Sequence, residues 1–160
     1  MRWLAIGLGL IPSVAQALSC LPWGVSDAYL RAEAAEASYV PAIGTLRFDE
    51  DLMPLAQLKN PNDLPSNATI PATFSGHALV RDGADVPLTA DVTFEVDCVV
   101  HWCGWASSGQ VIAFLRKDGP HYTLSMGPCG GDVFSKPDAA ALREMRQCVS
   151  GQSCVPSLER

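Results

Sequence analysis

The chain has 160 residues, of which 48% are hydrophobic, and its formal net charge at pH 7 is −6. This length predicts one ordinary domain with a real hydrophobic core. An acidic chain without a basic run is a poor candidate for binding nucleic acid or an anionic membrane, and no stretch beyond the N-terminal region is long and apolar enough to predict a transmembrane segment.

Residues 1–17 predict a secretory signal peptide. Arg2 supplies a short positive region, the apolar run that follows is too short to span a bilayer, and Ala15-Gln16-Ala17 is a small-x-small cleavage site. Removal of this segment takes away one of 11 basic residues and none of the 17 acidic ones, so the net charge becomes −7. We therefore expect an exported protein, periplasmic or extracellular, with a single domain over residues 18–160.

The position of the cleavage site stays open. A cut after Ala17 makes Leu18 the first residue, whereas a cut after Ser19 makes Cys20 the first residue. A lipid anchor on Cys20 is a third alternative. The cysteine count disfavours the lipid, because it would leave one of five remaining cysteines without a partner in an oxidising compartment.

The elements predicted after the signal peptide are a helix, several strands and a second helix. Alternating residues in LTADVTFEVDCVV place Val92, Phe94, Val96 and Cys98 on one face of a strand. In chain order the predictions are a helix over 25–37 capped by Ser26 or Asp27, a strand over 38–48 interrupted by Pro41 and Gly44, a long loop over 49–71, strands over 71–83, 88–100, 110–117 and 121–126, and a helix from about 135 to 148 with a buried stripe of Leu142, Met145 and Val149. Five strands at these spacings suit a small barrel with helices at its ends.

All six cysteines lie beyond the signal peptide, which predicts three disulfides in an exported chain. One pair flanks four residues and suits a tight hairpin, and another flanks a Ser-Gly turn. The remaining pair then closes a long loop, which should stabilise the fold by about 4 kcal/mol. The pairing favoured in this way is Cys20–Cys129, Cys98–Cys103 and Cys148–Cys154. The alternative of Cys20–Cys98 with Cys103–Cys129 stays open.

The stretch CVVHWCGW, residues 98–105, carries three competing interpretations. Cys98, His101 and Cys103 have irregular spacing for zinc and no second knuckle. A redox pair requires C-x-x-C, and this stretch is C-x4-C. A disulfide-closed turn is favoured, with Trp102 in the turn and Trp105 either packed or exposed as a binding anchor.

The sequence predicts no catalytic residue, no metal site and no cofactor. His77, His101 and His121 lie in no metal-binding pattern, and a metal-binding or hydrolytic protein that uses them is kept as a second alternative function. The acidic run Asp49-Glu50-Asp51 lacks the ligand spacing of a calcium loop and indicates a solvated turn. The chain contains no P-loop, dinucleotide fingerprint or G-x-S-x-G motif.

Several segments together resemble a known family. These are the helix SDAYLRAEAAEA after Cys20, FSGHALV, VTFEVDC followed by WCG, and FLRKDGPHYTLSMGPC before a terminal cysteine-bearing helix. The chain resembles bacterial members of the netrin-like group, which is related to tissue inhibitors of metalloproteinases. The resemblance implies a mainly β fold, a five-stranded OB-type barrel with an N-terminal and a C-terminal helix.

The resemblance also implies a function. The expected function is an exported, non-catalytic domain that binds a protein partner through the barrel rim, the long loop and the N-terminal edge, with Cys20, Leu21, Trp102 and Trp105 as candidate contacts. The alternative is metalloprotease inhibition, since in the animal inhibitors the amine and carbonyl of an N-terminal cysteine chelate the protease zinc. That role falls to Cys20 if cleavage follows Ser19, although Cys20-Leu21-Pro22 departs from the family's Cys-x-Cys start.

Overall fold

The computed structural model describes residues 18–56 and 65–159. The predicted signal peptide over 1–17 and the stretch 57–64 of the predicted long loop lie outside the described residues. None of the helices in the described ranges has both the length and the apolar character that crossing a membrane requires.

Two helices flank a set of strands. The helices are α1, Val25–Ala34, and α2, Ala139–Val149. The strands are β1 Tyr39–Phe48, β2 Asn67–Ala78, β3 Val86–Val99, β4 Trp102–Cys103, β5 Gly109–Asp118, β6 His121–Gly127, β7 Gly130–Gly131 and β8 Val133–Ser135. Short 3-10 turns cover Glu50–Leu52 and Ser157–Glu159.

Five strands form a closed barrel. Antiparallel pairing joins β3 to β2, β2 to β1, β1 to β5 and β5 to β6, and a parallel pairing of β3 with β6 closes the circle. Phe94 lies opposite Leu124 in that closing pair. The predicted fold class, a five-stranded OB-type barrel with an N-terminal and a C-terminal helix, is confirmed.

Three short strands that the sequence analysis did not predict extend the barrel. β4 continues the sheet beside the end of β3, β7 pairs with the end of β6, and β8 pairs with β5. Two or three residues are too few to show alternation, so these strands leave no periodic pattern in the sequence.

The core has two parts, and β5 belongs to both. Its odd-numbered residues Val111, Ala113 and Leu115 point into the barrel, whereas Ile112 and Phe114 lie beneath the helices. A strand buried on both faces explains the continuous apolar run VIAFL. The barrel interior also contains Leu46, Phe74, Phe94, Val96 and Leu124, and the helical layer contains Val25, Ala28, Met145 and Val149.

Some predicted boundaries are wrong. Pro41 and Gly44 do not interrupt β1, because the Pro41 carbonyl accepts a hydrogen bond from the Leu79 N–H at 2.8 Å and Gly44 lies directly opposite Gly76. A Cβ on Gly44 would lie 2.7 Å from the Gly76 Cα, so close strand approach requires glycine here. β2 starts at Asn67, so the predicted loop over 49–71 ends earlier than expected.

The predicted N-cap of α1 is also wrong, since Gly24 occupies that position. Ser26 and Asp27 lie in the first turn, and Asp27 takes part in the cap from the third helical position rather than as the N-cap. Ser26 donates from its backbone N and its Oγ to Glu144 of α2, and Asp27 accepts from the Gly24 N–H at 2.8 Å. Asp27 also accepts from the N–H and Oγ of Ser157, which attaches the C-terminal turn to α1.

Candidate functional site

The three disulfides have the predicted pairing. Cys20 bonds Cys129, Cys98 bonds Cys103 and Cys148 bonds Cys154. The alternative of Cys20–Cys98 with Cys103–Cys129 is therefore wrong, because Cys98 and Cys103 lie directly opposite each other in β3 and β4. The same bond takes away the two thiolates that the zinc interpretation of CVVHWCGW requires.

The Cys20–Cys129 bond places the N-terminal segment, residues 18–24, across the glycine turn, residues 127–131. Trp23 lies flat against Gly130, where an added Cβ would be 2.2 Å from the indole ring and the backbone has φ of 121°. The Trp23 Nε1 donates to the Gly131 carbonyl at 3.1 Å. Glycine at position 130 thus allows the tryptophan to rest on the turn.

The β3–β4 hairpin presents a second apolar feature. Val99 pairs with Trp102, and the two connecting residues are Val100 and His101. Val100 has φ of 56°, a left-handed conformation that is rare and strained for a β-branched residue. The Cys98–Cys103 disulfide at the base of the hairpin holds this strained tip in place.

Large apolar side chains are exposed on these two features. Leu21 and Val100 are 72% and 69% exposed, and Trp102 is 54% exposed. We call this surface the apolar rim and define it by Leu18, Leu21, Trp23, Val99, Val100, Trp102 and Trp105, each at least 36% exposed. Exposed apolar patches of this kind mark interaction sites in soluble proteins.

Two grooves cross the rim, and Trp23 lines both of them. The first, of about 480 Å³, lies between Leu18 and Val99 and reaches Asp97 and Arg31. The second, of about 450 Å³, lies between Leu21 and Trp105. Both use the glycine turn as part of their lining.

Of the residues predicted to contact a partner, three meet in one place. Cys20, Leu21 and Trp105 line the second groove together, whereas Trp102 lies on the neighbouring hairpin and lines neither groove. The rim also contains four residues that were not predicted as contacts, Leu18, Trp23, Val99 and Val100. A usable signal exists for the two valines, because the alternation of β3 breaks immediately after Cys98.

A half-buried ion pair reaches the first groove through Arg31. The guanidinium of Arg31 pairs with Asp132, which is 1% exposed, and lies 5.8 Å from the centroid of the Trp23 ring. Asp132 also accepts from the Ser125 N–H at 2.8 Å. Burial raises the pKa of Asp132, while the nearby charge of Arg31 acts in the opposite direction.

Asp97 is the other charged residue in the first groove. Its side chain is exposed and makes no ion pair or side-chain hydrogen bond within residues 18–56 and 65–159. Arg31, which lines the same groove, already carries Asp132 as its counter-ion. Asp97 therefore presents a carboxylate to anything that enters the groove.

The histidines occupy three different places. His77 lies in β2, His101 in the β3–β4 turn, and His121 at the start of β6, in a surface groove with Arg47 and Asp91. Within residues 18–56 and 65–159, no group of three or more His, Cys, Asp or Glu side chains could hold a metal ion.

The acidic run Asp49-Glu50-Asp51 has a structural explanation. Asp49 caps the 3-10 turn by accepting from the Asp51 N–H at 3.1 Å, and Glu50 accepts from the Ser108 N–H at 2.7 Å. The Glu50 bond attaches the beginning of the β1–β2 connection to the loop before β5. The carboxylates of Asp49 and Glu50 thus serve the turn.

Comparison with known proteins gave no match for this chain among family models, curated proteins or solved structures. The resemblance to the netrin-like group, carried by the cysteine order and by FLRKDGPHYTLSMGPC, stays a prediction. The apolar rim is therefore the feature of this structure that bears on function.

Proposed function

We propose that this chain is an exported, non-catalytic domain of netrin-like type that binds a protein partner through the apolar rim. The observation that carries the proposal is the exposure of seven large apolar side chains, three of them tryptophan, at one end of the barrel. Tryptophans are strongly enriched among the residues that dominate binding energy at protein interfaces. The grooves beside Trp23 offer pockets for the partner's own side chains.

Two disulfides hold the rim in a fixed shape, which supports its interpretation as a binding surface. Cys20–Cys129 fixes the N-terminal segment, and Cys98–Cys103 fixes the hairpin tip. A surface that is already ordered loses less conformational entropy on association, which leaves more of the contact energy for affinity. Three disulfides also fit an oxidising, exported compartment, as does the predicted signal peptide.

A second candidate function is metalloprotease inhibition through Cys20. One observation favours it: Cys20 is exposed at the rim, bonded to the barrel, and followed by Leu21, which is 72% exposed. A protein that starts at Cys20 would present its amine and carbonyl from a rigid position. Leu18 and Ser19 must be absent for this chemistry.

The test of the binding proposal uses two valines of β3 that are equally exposed. Val99 lies in the rim and Val86 at the opposite end of the strand, and both are 49% exposed. The oxidised domain is used as bait for the exported proteins of its source. We expect one partner that the wild type and Val86→Glu retain and that Val99→Glu and Trp102→Ala retain about tenfold less. Equal retention by all four proteins would reject the rim as the binding surface.

The inhibitor candidate has its own test. Intact mass of the exported protein shows whether the chain starts at Leu18 or Cys20. Both forms are then assayed against zinc proteases. Inhibition by the Cys20 form and its absence in the Leu18 form would support this candidate, whereas identical results for the two forms would exclude a role for the Cys20 amine.

A further inference from the structure

We infer that the partner presents a protein segment that places an apolar side chain in the first groove and a lysine or arginine beside Asp97. This inference rests on the proposed function, because it names the chemistry of the partner at the same rim. It follows from the shape of the groove, its lining and its charge.

The floor of the first groove has room for a side chain from outside. A Cβ added at Gly127 would meet only the Gly130 carbonyl oxygen within 4 Å, at 3.5 Å, which is an ordinary contact. The space above Gly127 is therefore open. Leu18, Trp23 and Val99 supply apolar walls. An aliphatic or aromatic side chain that enters this space would lose its contact with water and gain contact with these walls.

The charge of the groove selects what stands next to that side chain. Asp97 has no counter-ion in the described part of the chain, and Arg31 is already paired with the buried Asp132. Two residues before Asp97 on β3, Glu95 shares Arg116 with Asp118, so this neighbouring cluster also carries an excess of negative charge. A cation on the partner would complement Asp97, and an anion would be repelled.

The same features disfavour a lipid surface as the occupant. The groove is concave and carries a carboxylate, and the chain beyond residue 17 has a net charge of −7 from 10 basic and 17 acidic residues. An anionic bilayer would be repelled by this charge. A narrow protein segment can enter the groove and place one charge next to Asp97.

The test uses a library of random linear peptides displayed on phage and selected against the oxidised domain. Enriched sequences should contain a large apolar residue next to lysine or arginine. Two selected peptides are then synthesised, and their affinity is measured by titration calorimetry at low and high salt. Enrichment of sequences without a basic residue, or no enrichment at all, would overturn the inference.

Two variants locate the binding, with a matched control. Asp97→Asn should weaken binding about fivefold and reduce its salt dependence, whereas Asp91→Asn, an exposed carboxylate on the same strand, should stay within about twofold of wild type. Gly127→Leu fills the groove and should abolish binding. If Gly127→Leu does not fold, the Asp97 and Asp91 pair decides the question alone. Unchanged affinity in Asp97→Asn would overturn the inference.

The two proposals can fail separately. Loss of the captured protein in Val99→Glu, together with peptides that lack basic residues, leaves the proposed function standing and rejects the basic partner. Co-sedimentation of the wild type, but not of Val99→Glu, with vesicles of phosphatidylcholine and phosphatidylglycerol would assign the rim to lipid and overturn the inference. Absence of such co-sedimentation supports the protein segment.

Discussion

The helical layer and the apolar rim both lie outside the barrel, and both are rich in apolar side chains. The two regions differ in whether those side chains are buried or exposed to solvent. In the helical layer, α1 and α2 cover Ile112 and Phe114 of β5, and Met145 at the centre is fully buried. At the rim, Leu21, Val100 and Trp102 remain exposed. Apolar side chains that are buried within the chain stabilise the fold, whereas those that stay exposed are available to bind another molecule.

The two regions are also held together differently. Burial and helix capping hold the helical layer, where Asp138 accepts from the Ala141 N–H at 2.7 Å and Cys148–Cys154 closes the end of α2. The rim has little burial of its own, so its shape depends on Cys20–Cys129 and Cys98–Cys103. Changes to the disulfides and to the helical core should therefore have separable effects on binding and on stability.

The largest effect is expected from removal of the Cys20–Cys129 bond. Its two residues are 109 positions apart, and the chain-entropy model gives a loss of more than about 4 kcal/mol in the free energy of unfolding for a loop of this length. We expect Cys20→Ser with Cys129→Ser to show this loss in urea denaturation. Hydrogen exchange should increase over residues 18–24 and 127–131.

The control for this prediction is the short-range bond at the hairpin. Cys98 and Cys103 are 5 positions apart, so Cys98→Ser with Cys103→Ser should lose only about 2 kcal/mol in the same experiment. It should nevertheless weaken partner binding, because the tip loses its fixed shape. Equal losses of stability in the two double variants would show that loop length does not determine how much each disulfide of the rim stabilises the fold.

A smaller loss is expected in the helical layer. Met145→Ala removes a fully buried side chain between α2 and β5, and it should lower the free energy of unfolding by about 3 kcal/mol. Binding through the rim should not change once the variant is folded. Leu142→Ala, at a half-buried position of the same helix, should lower the free energy of unfolding by about 1 kcal/mol, measured by urea denaturation for both variants. A large loss of binding in Met145→Ala would mean that the two regions are coupled.

The smallest expected effect is on the stability of the fold at acidic pH. Burial raises the pKa of Asp27, but hydrogen bonds from Ser157 and Gly24 outweigh it, so the pKa lies below its ordinary value of 3.8. Asp27 therefore stabilises the fold above about pH 4, and this contribution is lost as the pH falls through the folded-state pKa. Asp27→Asn should lose about 1 kcal/mol at neutral pH and show a shallower loss of stability in acid.

Asp132 is a second carboxylate whose pKa is shifted, and its shift is in the opposite direction to that of Asp27. Burial raises its pKa, so its ionised form is disfavoured in the fold, and protonation as the pH falls adds stability through this group. Asp132→Asn should therefore steepen the acid loss that Asp27→Asn makes shallower. Urea unfolding of both variants at several pH values checks the contrast, and parallel curves for the two would contradict it.

The local features of this protein follow from its amino-acid sequence. Alternation in β3 predicted a strand with Val92, Phe94 and Val96 facing the core, and the spacing of Cys98 and Cys103 predicted a stapled hairpin. These predictions hold because a pleated strand has a period of two residues and a short hairpin brings its own ends together. Five such strands between two helices were enough to predict the barrel.

The candidate site depends on contacts between distant parts of the chain. Leu18 and Val99 line one groove although 81 positions separate them, and Arg31 pairs with Asp132 from a helix that packs beside a distant turn. The parallel pairing of β3 with β6 brings these parts together. No local sequence pattern encodes this pairing, because contacts between residues so far apart depend on how the whole barrel closes. The closure of the barrel therefore also determines which apolar side chains stay exposed.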